Sequence, residues 1–318
     1  MYLIKLEPTG KDYLWGGDYL KKKYNKCLDI NPLAETWEFS THPNGPSIIS
    51  NGKYKGKTLS DLFKLEPKIF GKRKFKDGSP ILVKLIDANK DLSIQVHPSD
   101  EYAKKNENQM GKTEMWYILE AQKGAKIVYG FEYDVTPEMI KKSLQDHTFE
   151  QLLHYEEVKK GDCIYIPSGT VHALGKGIVC AEIQESSDVT YRLYDYDRVD
   201  ANGNKRPLHL EKALAVLNYK MQYESIRQRQ LIKFNKDFVS ESLTKNNYFS
   251  VLKFFIKNNC EIKKVTTSFD IILITEGKGE IKVKNESLFF NKGDCIIIPA
   301  SIASYYISGG CEFLKINI

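Results

Sequence analysis

The sequence predicts a mainly β protein made of two related barrel-like units with helical insertions, and three observations lead to that prediction. Most of the 318 residues read as short strand-like runs separated by Gly, Asn and Asp turns, such as AKIVYGFEY at 125–133. This regular spacing favours an all-β barrel or sandwich over a βαβ fold. Helical patterns are few, and one strand-rich segment occurs twice.

Three segments carry helix signals. The segment at 58–71, TLSDLFKLEPKIFG, has helical leucine spacing and a terminal glycine. The segment at 136–155 opens with Thr136 as N-cap and a proline at the first helical position, where the missing N–H costs nothing. The segment at 206–221 would place four apolar side chains on one helix face. These four are Leu210, Leu214, Leu217 and Met221.

The repeated segment indicates a duplicated module. KKGDCIYIPSGTVHAL at 159–174 resembles NKGDCIIIPASIASYY at 291–306 without a gap. The informative difference is that His172 of the first copy corresponds to Ser304 of the second. We therefore predict a catalytic domain over residues 1–235 and a related barrel over residues 236–318 in which the role of His172 has been lost.

Composition limits the classes of partner. The formal charge is +6, carried mainly by scattered lysines, without the basic stripe and interleaved aromatics of a nucleic-acid binder. A positive potential does suit a small anionic substrate. No run of 18 apolar residues is present to span a membrane. The six cysteines are dispersed without a CxxC pair, so we expect free thiols and a cytoplasmic protein. Nothing in the sequence indicates an oligomeric state.

Two motifs indicate that the barrels are of the cupin, or jelly-roll, type. Gly161, Pro167, Gly169 and His172 have the spacing of the second cupin motif. The first cupin motif is present in stretched form, as Gln-x-His at 95–97 followed after sixteen residues by a glutamate. In the second copy Asp270 stands at the place of that glutamate and no Gln-x-His precedes it. We therefore expect the C-terminal barrel to lack a metal site.

The residues of the two motifs form a candidate ligand set for a metal. Two imidazoles, one carboxylate and one amide oxygen suit a borderline divalent ion, and zinc is the best match. Such a set leaves positions for water or substrate. Gln95 is the open point, because it either ligates the metal or hydrogen-bonds to the substrate or to a neighbouring ligand. The candidate ligands are Gln95, His97, Glu114 and His172.

Longer segments resemble type I mannose-6-phosphate isomerases, closest to the short bacterial form, over essentially the whole chain. They are IQVHP at 94–98, GKTEMWY at 111–117, DVTYRLYD at 188–195, WGG at 15–17, and AETWE at 34–38 with the following His42-Pro43. The resemblance implies an enzyme with one zinc ion per chain that interconverts mannose 6-phosphate and fructose 6-phosphate through a cis-enediol. It also implies that the four candidate ligands hold the zinc and that Arg192 is catalytic.

Two further side chains carry expectations with open alternatives. Arg192 lies in a tyrosine-rich strand, and its planar fork suits an anion or an enediolate; the alternative is a salt bridge to Asp195 or Asp197. Lys112 stands two residues before Glu114, where it would hold substrate oxygens or move a proton; the alternative is solvent exposure.

One difference from the family pattern leaves the identity of the general base open. Many longer relatives have a histidine at the position of Gly111. A mechanism that uses that histidine is therefore not available to this chain. A sugar-phosphate-binding cupin without catalysis, acting as a sensor or accessory protein, is the alternative function.

Overall fold

The structure, a computed structural model, describes residues 2–72, 75, 78–200, 202–222, 230–264, 268–284 and 286–318. It is mainly β, as the turn-punctuated sequence predicts, with 22 strands in these ranges. The strands are β1 (Ile4–Glu7), β2 (Thr9–Lys11), β3 (Glu35–Phe39), β4 (Ile48–Ile49), β5 (Ile81–Ala88), β6 (Ile94–Val96), β7 (Glu114–Ala121), β8 (Lys126–Phe131), β9 (Leu153–Glu157), β10 (Cys163–Ile166), β11 (His172–Leu174), β12 (Ile178–Glu185), β13 (Tyr191–Tyr194), β14 (Gln230–Phe234), β15 (Phe238–Lys245), β16 (Ser250–Ile256), β17 (Asn259–Lys263), β18 (Asp270–Val283), β19 (Glu286–Asn291), β20 (Cys295–Ile298), β21 (Ser304–Ser308) and β22 (Cys311–Asn317).

Short helices join the strands, and all three segments with helix signals contain one. Thr58 and Thr136 accept backbone hydrogen bonds as N-caps, as such residues do at helix starts. The helices α1 and α3 were not predicted. The helices are α1 (Tyr19–Tyr24), α2 (Leu59–Leu65), α3 (Asp100–Asn106), α4 (Pro137–Gln145) and α5 (Leu210–Val216), with 3-10 turns at Gly52–Tyr54, Pro67–Phe70 and Phe149–Leu152.

Helix α5, in the segment at 206–221, is shorter than its leucine spacing predicts. Leu217 already has an extended backbone, with φ −62° and ψ 139°, so Leu217 and Met221 lie beyond the helical face. The reason is a tertiary contact. The backbone N–H of Asn218 donates to the carbonyl of Gly169 at 2.8 Å, which takes the chain out of the helix and ties it to the loop before β11.

The first barrel is formed by two sheets. One runs in the order β10-β7-β12-β5-β3-β2, and the other in the order β13-β6-β11-β8-β9. Strands β5 and β12 are buried along their entire lengths because both of their faces are covered. Charged residues inside these buried strands must therefore find partners within the protein.

The second barrel recruits strands from the N-terminus. Its sheet runs in the order β14-β15-β16-β22-β18-β20-β1-β4, with β17, β19 and β21 branching from it. The pairing of β1 with β20 and of β14 with β15 crosses the predicted division at residue 235 in two places. Residues near the N-terminus therefore complete a sheet that the division assigns to the C-terminal barrel alone. The division into domains stays a prediction.

The two barrels pack through a shared apolar core. Phe269 lies at the entry to β18 and contacts a cluster of rings from the first 75 residues: Phe39, Phe63, Phe70 and Phe75. A buried ion pair joins the barrels as well. Lys26 donates to Glu38 at 2.7 Å and to the carbonyl of Gly293 at 2.5 Å.

The repeat is visible in the strands. β10 and β20 begin at Cys163 and Cys295, and β11 and β21 begin at His172 and Ser304, so each pair starts at equivalent positions of the two copies. All six cysteines lie in the described ranges and are free, with Cys27 alone exposed. None of the helices described is long and apolar enough to cross a membrane.

Candidate metal centre and adjoining cavity

Three strands of the smaller sheet place polar side chains in one row. β6 lies between β11 and β13, and Gln95 is the cross-strand partner of His172 on one side and of Arg192 on the other. Directly opposed residues in antiparallel strands share one face of the sheet. The Gln-x-His pattern, the second cupin motif and the arginine segment therefore meet at one place, as the resemblance implies.

His97, Glu114 and His172 form a buried cluster with the composition of a metal site. Their ligand atoms all lie within 4.8 Å of one another. Nε2 of His172 is 3.2 Å from Oε1 of Glu114, and Nε2 of His97 is 3.6 Å from Oε2. Among the residues described, this is the one such group of His, Cys, Asp and Glu side chains.

The backbone fixes which nitrogen of each imidazole faces the cluster. Nδ1 of His97 lies 2.9 Å from the carbonyl of Val189, and Nδ1 of His172 lies 2.9 Å from the carbonyl of Thr170. A carbonyl oxygen only accepts, so each Nδ1 carries the hydrogen. The Nε2 lone pairs then point at the carboxylate of Glu114, which orients them for a metal in the way that outer partners of metal-binding histidines do.

This arrangement fits a bound cation. Oε1 of Glu114 is buried and has no hydrogen-bond partner. It faces a lone pair of His172 when that imidazole is neutral, so the pair requires either an extra proton or a cation between them. Two imidazole nitrogens and a carboxylate are the donor set that zinc prefers.

Lys112 is buried at the same cluster, so it is not the solvent-exposed lysine of the alternative reading. It precedes β7 and does not share a strand with Glu114. Its ammonium group donates to the carboxylate of Glu114 and lies 2.9 Å from Nε2 of His97. Burial alone would raise the pKa of Glu114, but the charge of Lys112 acts in the opposite direction, and that pKa lies well below its ordinary value.

Gln95 lies at the edge of the cluster. Its side-chain amide is 3.5 Å from Nε2 of His172 and also lines the adjoining cavity. Rotation of the amide exchanges its oxygen and nitrogen, so both a metal ligand and a hydrogen-bond donor remain open for this side chain. Its role as a ligand stays a prediction.

A second row of polar and aromatic side chains faces the cavity from the larger sheet. Lys84 is the cross-strand partner of Trp37 and of Glu182, and Glu182 is in turn the partner of Trp116. The ammonium group of Lys84 lies 3.1 Å from Glu182 and 3.5 Å from Glu35. Burial would lower the pKa of Lys84, but these two carboxylates raise it above its ordinary value.

Lys84, like Arg206, is a cavity residue that lies outside the sequence motifs. The sequence does contain a sign of this residue, because Lys84 interrupts the otherwise apolar run ILVKLI of strand β5, which is fully buried. A lysine at such a position requires a buried partner or a function.

The predicted alternative for Arg192 does not hold, since Asp195 and Asp197 have other partners. Asp195 binds Arg198 and Arg206, and Asp197 binds Lys205. The guanidinium group of Arg192 instead donates to neutral groups. These are the hydroxyl of Ser93 at 3.3 Å and the carbonyl of Pro207 at 2.9 Å.

A cavity of about 220 Å³ lies between the two rows. Gln95 and Lys112 line it and also contact the buried cluster, so they connect the candidate metal centre with the cavity. Four cationic side chains line the cavity, namely Lys84, Lys112, Arg192 and Arg206. The space and charge suit a small anionic ligand with several oxygens.

Gly111 has no space for a side chain without a rearrangement. A Cβ atom at this position would lie 2.4 Å from the backbone nitrogen of Asp100 and 2.7 Å from the carbonyl carbon of Ser99. The start of α3 therefore occupies the space that a side chain would need. The absence of a histidine here is part of the local packing.

In the second barrel, protein groups surround the equivalent of Glu114. Asp270 is buried and accepts hydrogen bonds from Tyr305 at 2.9 Å and Asn317 at 2.5 Å, with the ammonium group of Lys315 at 3.4 Å. These contacts give Asp270 a structural environment. The absence of a metal from this barrel stays a prediction.

Fold and site together define a duplicated cupin protein with one candidate metal centre beside a cation-lined cavity. The comparisons with known proteins agree. Residues 3–129 match the family model "Phosphomannose isomerase type I, catalytic domain", and residues 240–318 match "Mannose-6-phosphate isomerase, cupin domain". The chain belongs to the type I phosphomannose isomerase family.

Individual relatives match along nearly their entire lengths. The chain is 39% identical over 310 residues to mannose-6-phosphate isomerase ManA of Bacillus subtilis, covering 96% of each chain. It is 37% identical over 301 residues to mannose-6-phosphate isomerase of Streptococcus mutans, covering 95% of this chain and 93% of the relative. The crystal structure of the mannose 6-phosphate isomerase from Bacillus subtilis superposes with a TM-score of 0.94 at 36% identity, covering all of both chains.

Proposed function

We propose that this protein is a zinc-dependent isomerase that interconverts mannose 6-phosphate and fructose 6-phosphate through a cis-enediol. Family membership supports the reaction. The observation that carries the proposal is the buried cluster of His97, Glu114 and His172, which adjoins a cavity lined by cations.

The ligand set of the proposal is His97, His172, Glu114 and Gln95. Held by these residues, zinc would supply a Lewis acid for the negative charge that develops on the substrate oxygens. The carbonyls of Val189 and Thr170 keep the two imidazoles in the tautomer that ligation requires.

Arg192 and Lys112 act on the substrate in this proposal. The fork of Arg192 is held by neutral acceptors and therefore keeps its full charge for substrate oxygens, which supports its assignment as catalytic. Lys112 lies between the cluster and the cavity, where it holds the C1 and C2 oxygens or moves a proton between them. The proton leaves C2 of mannose 6-phosphate and is returned at C1, so the reaction needs no other reactant.

The experiment is a coupled assay of mannose 6-phosphate turnover by metal-depleted protein reloaded with zinc, cobalt or manganese. We expect activity with added metal and loss of activity with a chelator. No turnover with any of the three ions would reject the proposal. Calorimetric binding of fructose 6-phosphate without exchange of solvent protons at C1 or C2 would instead favour a binding protein without catalysis.

The location is part of the same proposal. Six free cysteines are stable in a reducing compartment, which supports a cytoplasmic protein. The proposed partner is the small sugar phosphate, without nucleic acid or membrane.

A further inference from the structure

The two lysines that line the cavity already have anionic partners. Lys112 is bonded to Glu114, and Lys84 lies between Glu35 and Glu182. All three carboxylates are buried, so each lysine has its counter-charge at short range. Neither ammonium group is therefore available as the main counter-ion for a second anion.

Arg206 reaches the cavity from the loop that follows β13. Tyr196 and Asp197 reverse the chain there with left-handed φ values of 56° and 53°. Asp195 accepts from Nε of Arg206 at 2.8 Å and from Nη2 at 2.6 Å. This two-point contact fixes the plane of the guanidinium group. Its Nη1 has no hydrogen bond to any residue that the structure describes.

The arginines around Asp195 carry more charge than the carboxylate can balance. Arg198 and Arg206 share Asp195, while the partners of Arg192 within the described part of the chain are neutral. Burial lowers the pKa of Arg192 and the nearby charge of Arg206 lowers it further, which agrees with two guanidinium groups in close proximity. Arg192 and Arg206 both line the cavity, and two neighbouring guanidinium groups attract an anion.

The positions of the two cavity arginines separate their roles. Arg192 is the cross-strand partner of Gln95 and so lies at the metal end of the cavity. Arg206 lies on a loop, and 22% of its side chain is exposed. In an open-chain hexose 6-phosphate, the phosphate on C6 is at the opposite end from the reacting C1 and C2.

We propose that Arg206 binds the phosphate group of the substrate through its free Nη1 edge, with Asp195 as the residue that orients it. This inference rests on the proposed function. Arg192 then serves the oxygens near the metal centre, and Arg206 determines the preference for a phosphorylated sugar.

The chain offers a matched control. Arg198 donates to the same oxygen of Asp195 as Arg206, but it does not line the cavity. Arg198→Ala therefore disturbs the ion-pair cluster without removing a cavity cation. Arg206→Lys keeps the charge but loses the fork, so it reports on geometry.

The experiment measures KM and kcat for mannose 6-phosphate, and the affinity for inorganic phosphate by calorimetry, in zinc-loaded protein. In Arg206→Ala we expect KM and the dissociation constant of phosphate to rise roughly 10- to 100-fold, with kcat within about threefold. Arg206→Lys should recover part of the loss, and Arg198→Ala should change either constant less than about threefold.

Equal effects of Arg206→Ala and Arg198→Ala would overturn the inference, because they would indicate a structural role through Asp195. An unchanged phosphate affinity in Arg206→Ala would overturn it as well. The calorimetric measurement does not need turnover. It therefore separates a failure of this inference from a failure of the proposed isomerase activity.

Discussion

Replacing His172 by serine tests the metal centre with a change that the chain itself suggests, since Ser304 stands at the equivalent position of the second copy. His172 contributes one of the three clustered ligand atoms, and its Nε2 is 3.2 Å from Glu114. A four-ligand zinc site is worth about 10–16 kcal/mol, or roughly 3 kcal/mol per ligand. His172→Ser should therefore weaken zinc binding roughly 10²- to 10³-fold.

The same substitution also has a structural cost. The ring of His172 packs edge-on against Trp116, with centroids 5.5 Å apart, and its Nδ1 is the partner of a buried carbonyl. We expect a loss of about 2 kcal/mol in the free energy of unfolding. A folded variant should remain, as the second barrel is folded with serine at this position.

The assay is zinc titration by calorimetry, together with metal analysis after dialysis against a chelator. His154→Ser is the control, because His154 is exposed and its ring bonds, among the residues described, to Glu132 alone, at 2.8 Å. Turnover should be lost in the His172 variant and retained in the control. A His172 variant that is folded and binds one zinc ion with affinity within threefold of the original would refute the assignment.

Three further substitutions test the rest of the site and the fold. Arg192→Ala should lower kcat by about 10²- to 10³-fold while zinc content stays unchanged, since the side chain of this arginine bonds to Ser93 and Pro207 and not to a proposed ligand; unchanged kinetics would remove it from the mechanism. Lys26→Met leaves the buried carboxylate of Glu38 without its cation, and it should lower the free energy of unfolding in urea by about 3–5 kcal/mol. The control Lys22→Met removes an exposed ion pair and should change that free energy by less than about 1 kcal/mol. Burial raises the pKa of Glu185 to about 7, so the stability that its protonated form contributes is complete below the unfolded pKa and is lost as the pH rises through about 7. The free energy of unfolding of Glu185→Gln should therefore rise by about 1–3 kcal/mol relative to that of the original protein between pH 5 and pH 8. Thermal unfolding curves with the same offset at both pH values would contradict this.

The sequence alone predicts the β class, the duplication and the three residues of the candidate metal cluster. Alternating strands, turn residues and a gapless repeat are local patterns, and each carries its physical meaning without a structure. The second cupin motif selected His172, which is the first residue of β11 in the structure. The comparison of His172 with Ser304 predicts which copy carries the candidate metal cluster.

Tertiary structure decided what residues distant in sequence do together. β1 belongs to the second barrel because it pairs with β20, some 290 residues later, and β4 joins the same sheet by pairing with β1; no local pattern reports the pairing of β1 with β20. Helix α5 ends early because the backbone N–H of Asn218 bonds to the carbonyl of Gly169.

The same holds for the charged groups of the cavity. Asp195 lies three residues from Arg192 in sequence, yet it binds Arg198 and Arg206 and leaves Arg192 to neutral partners. Lys84 became a site residue only when the sheet register placed it beside Glu182. The sequence supplies the charged groups, but the complete fold sets the distances between them. Because the interaction of two charges depends on their separation, differences of a few ångströms decide which charges are neutralised.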